Sequence, residues 1–346
     1  MKLFGQSRPR AARIARLAAV PVALLTAGSL TALSLAGGAS ASRTAPRSAS
    51  GTYYFVSHGC PTDTFWPPVW NGAADAAKRL GIHVDILHIT QAECGSTAAE
   101  VNLLETAIAA HPAGIATTVT DPTAFSSALK TAAADHIPVV VFNSAPTANG
   151  LPNAANPYLA YVGQSNYSAG VGAAHEAVSE FHLKSGAKVI VIDHEPTNIS
   201  LTQRLNGIRA GFRPSGITPT VIATSDDVSS GASIVGAYLT SHKGVDAILT
   251  LGTTGTDEAV QALTADSLHI RIGAFDLDST TLAYIERGTV TFTVDQQPYL
   301  QGYLSIVELF LDKTEGAAPV NIPTGPAFLT SSNVKELGRF VNHTGF

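Results

Sequence analysis

The feature that most restricts the fold of this chain is a regular alternation of short β-rich runs with helical patterns. β-rich runs sit near 52–57, 83–88, 114–119 and 138–143, and helical patterns near 68–80, 97–110 and 123–135 fall between them. The third helix has clear start chemistry, with Asp121 suited to cap it and Pro122 to its first turn. A Pro/Asn/Ala-rich segment, 144–157, interrupts the series. Strands then resume near 159–162, 188–193, 219–224, 246–250 and 271–275, with helices near 166–182, 200–213, 230–242 and 256–265. Strands joined through helices pair in parallel, so this order specifies βαβ units. Two such series predict an α/β protein of two similar doubly wound, Rossmann-like lobes with parallel sheets, the first boundary lying near 145–158.

In an open α/β sheet the strand exits converge on one crevice, where ligands bind. Here the exits are polar. FVSHG runs into Asp63, Phe65 and Trp66; later strands deliver Asp121, Asn143, Asp276, Asp295 and Gln296, while His58 and Glu195 are further cleft candidates. A sugar offers hydroxyls that donate and accept, and a weakly apolar C–H face. A site for it needs carboxylates, amides, an arginine fork and aromatic rings. The crevice has that set and no recognisable nucleophile or metal-ligand spacing, so no cofactor is implied. The Gly170/Gly172 turn lacks the third glycine of a dinucleotide fingerprint, and P-loop, GxSxG and zincin motifs do not occur.

The first 41 residues read as a secretory signal peptide: Lys2 and four arginines, an apolar run from Leu17 to Ala36, then Ala39-Ser40-Ala41. Residues 42–51 read as a disordered leader. Loss of the five signal-peptide cations takes the formal charge from −5 to −10, which gives no electrostatic case for nucleic acid or an anionic membrane. With 346 residues, 45% of them hydrophobic, the chain has ample core for two lobes. Cys60 and Cys94 follow the first and second strands; in an oxidising compartment they either pair, bracing the Phe65–Trp66 loop, or remain two free thiols.

VSHGCPTDTFW, NPYLAYVGQSNYSAG, DHEPTNISLTQRLNGIRAGF, LTLGTTGTDEAVQAL, GAFDLDSTTLAYIERGTVTFTVDQQPYLQGY and TGPAFLT follow one another along the chain. In this order they resemble landmarks of the type I periplasmic sugar-binding proteins of ABC importers, similar to ribose-, galactose- and inositol-type binders. The resemblance runs from Thr52 to Asn333. It implies two lobes joined by a three-strand hinge: 52–144 plus 277–318, and 158–276 plus 319–346. It implies that Phe65 and Trp66 stack on a sugar ring and that Asp121 accepts sugar hydroxyls. Asn143, Asp276 and Gln296 stand at the three crossovers, and Arg204 reaches in from the second lobe. At the Gly252–Thr256 loop the family often has Asn-Asp; this chain has Thr-Thr-Gly-Thr, with Thr254 the candidate contact.

The function so implied is capture of a monosaccharide or polyol outside the cytoplasm, by a monomer that is not an enzyme, for delivery to an ABC permease. Two rivals share the features. A ligand sensor would present its closed form to a chemoreceptor or histidine kinase. A secreted glycoside-acting enzyme would need a carboxylate pair such as Asp121 and Asp276 flanking a scissile bond.

Overall fold

The computed structural model describes residues 51–335. The signal peptide expected at 1–41, nearly all of the leader expected at 42–51 and the last residues of the tail lie outside that range. In chain order the first elements are β1 (Thr52–Ser57), α1 (Trp66–Leu80), β2 (His83–His88), α2 (Thr97–Ala109), β3 (Gly114–Thr117), α3 (Pro122–Ala134), β4 (Val139–Phe142) and β5 (Ala160–Gly163). The chain continues with α4 (Asn166–Glu180), β6 (Val189–Asp193), α5 (Ile199–Phe212), β7 (Thr220–Ala223), α6 (Val228–Ser241), β8 (Ala247–Thr250), α7 (Thr253–Ala265), β9 (Arg271–Phe275) and α8 (Ser279–Glu286). It ends with β10 (Phe292–Asp295), α9 (Pro298–Glu315), β11 (Ile322–Pro323) and β12 (Ala327–Thr330).

These strands form two six-stranded sheets, ordered β11-β5-β4-β3-β1-β2 and β12-β10-β9-β8-β6-β7. All pairings are parallel except β10 with β12. Each sheet is apolar on both faces, as helix-covered parallel strands must be. In β4, Val139 and Val141 join the core under α2 and α3, whereas Val140 and Phe142 join the one under α1 and α9. In β6, Val189 and Val191 face α4 and α5, and Ile190 and Ile192 face α6 and α7.

The lobe boundaries differ from those expected. The strand near 159–162 pairs with β4, Val140 opposite Ala160, and so belongs to the first lobe. Strand β10, within the 277–318 segment expected in the first lobe, pairs with β9, Phe292 opposite Gly273, and belongs to the second. The sheets therefore place 52–163 with 298–323, and 166–295 with 327–335. The chain crosses three times, at 163–166, 295–298 and 323–327, so of the three residues expected at crossovers only Gln296 stands at one; Asn143 and Asp276 follow strands whose next strand lies in the same sheet. A buried apolar run has the same pattern in either sheet; its partner is fixed by contacts far along the chain. Helix α8 had no counterpart in the pattern.

Candidate functional site

Three strand exits turn through left-handed backbone. Asn143 after β4, Asp276 after β9 and Gln297 after β10 have φ of 57°, 72° and 55°. Asn and Asp tolerate this region better than other side chains, and it takes the chain sharply out of the sheet. Asn143 is tied by its own N–H to Val162 O (3.1 Å) and by its carbonyl, which accepts from the Tyr161 hydroxyl (2.8 Å).

Arg204, on α5, is 2% exposed. Its Nε donates to Asn166 Oδ1 (2.9 Å), and Nη1 donates to Leu251 O (2.5 Å) and Asp276 Oδ2 (3.2 Å). The guanidinium lies 5.0 Å from the Phe275 ring centroid. Asp276 Oδ1 accepts from Gln296 Nε2 (2.6 Å). Burial raises the Asp276 carboxyl above its ordinary range, while Arg204 and Gln296 pull it down. The network continues into the first lobe, where Asn143 Nδ2 donates to Gln301 Oε1 (3.1 Å) and Gln301 Nε2 to Gln296 Oε1 (3.0 Å). A chain of buried polar groups thus runs through the crossovers.

Opposite this network, Trp66 packs edge-on against Phe65 (centroids 5.2 Å apart) and His58 (4.6 Å). Phe65 and Trp66 open α1 ahead of two prolines in its first turn. Burial, then Arg204, pushes the His58 and His194 imidazoles down to about 3, so both are neutral at pH 7. Glu195, which accepts from Asn198 Nδ2 (2.7 Å), is raised by burial and by Asp226.

Phe65, Trp66, Asn143, Arg204, Asp276, Gln296, His58 and Glu195 all line one cavity between the lobes. Two expected residues do not. Asp121 Oδ1 accepts the Thr123 and Ala124 N–H groups (2.7 and 3.1 Å), so its carboxylate caps α3. Thr254 lies buried in the first turn of α7, where Gly252 is the residue that reaches the cavity. A Cβ at Gly252 would stand 2.6 Å from His194 Cε1, so the bare backbone is what lets these two segments meet.

The pattern left out residues that close the lobes together. Asp63 accepts from Thr253 Oγ1 (2.6 Å) and from Phe65 N (3.0 Å), and burial pushes it up to about 7. Asn198 caps α5, and its Nδ2 meets His58 Nε2 at 3.3 Å. Ile199 N donates to Thr120 O (2.9 Å), Gln203 Nε2 to Ala145 O (3.2 Å), and the Thr64 hydroxyl to Asp278. The structure is therefore a closed form, with a cavity of about 30 Å³, room for a couple of waters. A cap signature before α5 (Asn198) was available in the sequence; nothing local marked Asp63 as a bridge or Gln301 as a link. Cys60 and Cys94 are joined by a disulfide, with Cα atoms 5.4 Å apart, behind the loop that carries Phe65. Among the described residues, no helix is long and apolar enough to cross a membrane.

Residues 53–311 match the model of a family described as periplasmic binding protein domain. The chain is 30% identical over 293 residues to the xylose/arabinose-binding protein XylF of Sulfolobus acidocaldarius, covering 81% of this chain and 71% of that protein. A periplasmic sugar-binding protein of an ABC sugar transporter from Legionella pneumophila superposes with TM-score 0.74 at 30% identity, over 80% of this chain and all of that one. A carbohydrate transporter from Acidothermus cellulolyticus 11B, in complex with myo-inositol, gives 0.76 at 30% identity, over 86% and 99%. With two mainly parallel sheets, three crossings and a polar interlobe cavity, the chain belongs to the periplasmic binding protein family, as a sugar-type solute-binding member.

Proposed function

We propose that this protein is exported, captures a monosaccharide or related polyol in the inner interlobe cavity and delivers it to an ABC permease. The observation that carries the reading is the two-sided wall of that cavity: aromatic rings from α1 on one side, the Arg204–Asp276 pair on the other. Two buried polar atoms on the same wall, His58 Nδ1 and Ser200 Oγ, have no partner, and hydroxyls of a ligand would satisfy them. Xylose and arabinose, after which one relative is named, and the myo-inositol held by another are neutral polyhydroxylated molecules.

A sugar ring exceeds the closed cavity, so loading requires the lobes to part about the three crossings. Both walls meet the sugar only when the lobes close back on it, to a separation wider than the present one, which couples closure to binding. Glycosidic chemistry finds little support: Asp121 caps α3, and Asp276 is held by Arg204 and Gln296. Calorimetry of the purified protein against pentoses, hexoses and inositols tests the proposal. At least one ligand with Kd near micromolar is expected; flat titrations across the panel refute it.

A further inference from the structure

A second cavity, of about 610 Å³, adjoins the inner one and shares His194, Glu195 and Asn198 with it. Both lobes line it. Glu100 on α2 and Gly95 beside the disulfide come from the first lobe, and Glu195, Asp226 and Asp227 come from the second. A Cβ at Gly95 would stand 3.6 Å from Asp226 Oδ2, so the two loops face each other closely. The lining contains no lysine, arginine or large aromatic ring. Glu100 is only 5% exposed, and its Oε2 accepts from the Thr120 hydroxyl. His194, equally buried and on the wall of both cavities, has an unpartnered Nδ1.

We propose that this outer cavity is a subsite for a protonated amino group of the ligand, so that the preferred ligand is an amino-substituted sugar or polyol. The inference rests on the sugar-binding reading above and assigns the chemical class of the ligand. Carboxylates drawn from both lobes, with no cation of their own, are stabilised by an ammonium group through short charge-assisted hydrogen bonds. A second neutral ring suits the site less, because no aromatic face covers its C–H patches. Arg204, the cation of the inner cavity, is held by Asp276.

The protonation behaviour agrees with this reading. Burial, then Asp121 and Asp226, pushes Glu100 up to about 7, and burial pushes Asp226 up to about 6. The groups around them are Asp63 from the β1–α1 loop, Asp121 at the start of α3, Glu195 and His194 after β6, Asp227 at the cap of α6 and Glu258 on α7. A bound ammonium favours their ionised forms, so it displaces protons.

The test is calorimetry at pH 6.5, in two buffers of different ionisation enthalpy. Hexoses and pentoses are compared with amino-deoxy counterparts carrying nitrogen at each ring position. One amino sugar is expected to bind about tenfold or more tighter than its neutral parent, the scale of a charge-assisted contact, and to release protons relative to it. Asp226→Asn, at a half-buried loop position, should cut that preference to about twofold while leaving the neutral parent unchanged, and Glu100→Gln should do the same if it folds. A neutral sugar that binds as tightly as every amino counterpart overturns the subsite and leaves the sugar reading intact, and so does a preference that survives Asp226→Asn. Failure of both series to bind removes the sugar reading, and the subsite with it.

Discussion

The two lobes share a scaffold and differ in what they present to the cleft. In each, a helix from beyond a crossing packs closely on a helix of the same lobe. Gly72 and Gly302 bring α1 and α9 together, against the backbones of Tyr299 and Val69; Gly170 and Gly207 do the same for α4 and α5, against those of Arg204 and Tyr167. Yet the first lobe offers rings, Phe65 and Trp66, continuous with its hydrophobic core. The second offers a buried ion pair, held by Asn166, Leu251 and Gln296. An apolar wall is stabilised in proportion to the area it hides, whereas a buried charge depends on its partner. The lobes should therefore respond very differently to single substitutions.

Arg204→Ala is the largest expected break. It leaves Asp276, 5% exposed, without its cation, which costs about 3–5 kcal/mol in stability when one member of a buried pair is removed. Sugar affinity should fall by about 2–5 kcal/mol as well. The double change Arg204→Met with Asp276→Leu should recover much of the stability and none of the binding. Thermal unfolding and calorimetry on the three proteins check this; a single mutant with wild-type Tm would mean that the second lobe does not rest on the pair.

The pH response comes next in size, because several groups act in the same sense, two from each lobe. Burial pushes Glu258 up to about 8, Asp63 and Glu100 up to about 7, and Asp193 up to about 6. Carboxyls raised above their unfolded values of about 4 bind more protons when folded, so they lose stability as pH climbs to those values. His58 and His194, depressed to about 3, act oppositely but only below about 6.5, where the unfolded histidines charge. Between pH 6.5 and 8 only the carboxyls remain in play, and Tm should fall. A Tm that holds or rises over that interval contradicts the assignment. Glu258→Gln should flatten the slope more than Asp63→Asn does.

How much of this was legible in the sequence depends on how local each signal is. The strand and helix periods, the cap at Asp121 and the aromatic pair at Phe65–Trp66 are written within a few residues. The membership of 160–163 and 292–295 is not: both strands are uniformly buried, and their sheet is chosen by Val140 and Gly273, distant in sequence. Arg204, Asp276 and Gln296 were placed by family likeness and do meet at one cavity, but their links through Asn166, Leu251 O and Gln301 follow from the tertiary arrangement alone. Thr254 missed because helix α7 begins at Thr253 and turns the next side chain away from the cavity lining, leaving Gly252 there.

Phe65→Leu sharpens the contrast from the other side. A volume-similar apolar swap in a well-packed core costs less than about 1.5 kcal/mol of stability. Loss of the ring face should weaken sugar binding by about 0.5–1.5 kcal/mol, the worth of an aromatic contact beyond its area. Calorimetry should show a loss well below that of Arg204→Ala; an equal loss would erase the distinction between the two walls.

The smallest effect concerns equivalent helix starts. Helix α3 follows β3 in the first lobe, and α7 follows β8 in the second. Asp121 caps the former with its carboxylate, whereas Gly252 opens the latter without a side-chain cap, because any Cβ there would strike His194. The first lobe thus uses this position for local stability, and the second uses it for close approach at the cleft. Asp121→Ala should lower stability by about 1 kcal/mol, the usual cost of losing an N-cap, and leave sugar affinity within about twofold. Asp121→Gly should cost only a few tenths of that, since glycine is itself tolerated as a cap. If Asp121→Ala instead weakened binding tenfold while Tm stayed put, the carboxylate would have to leave its cap when the ligand enters, and the position would serve the cleft in both lobes.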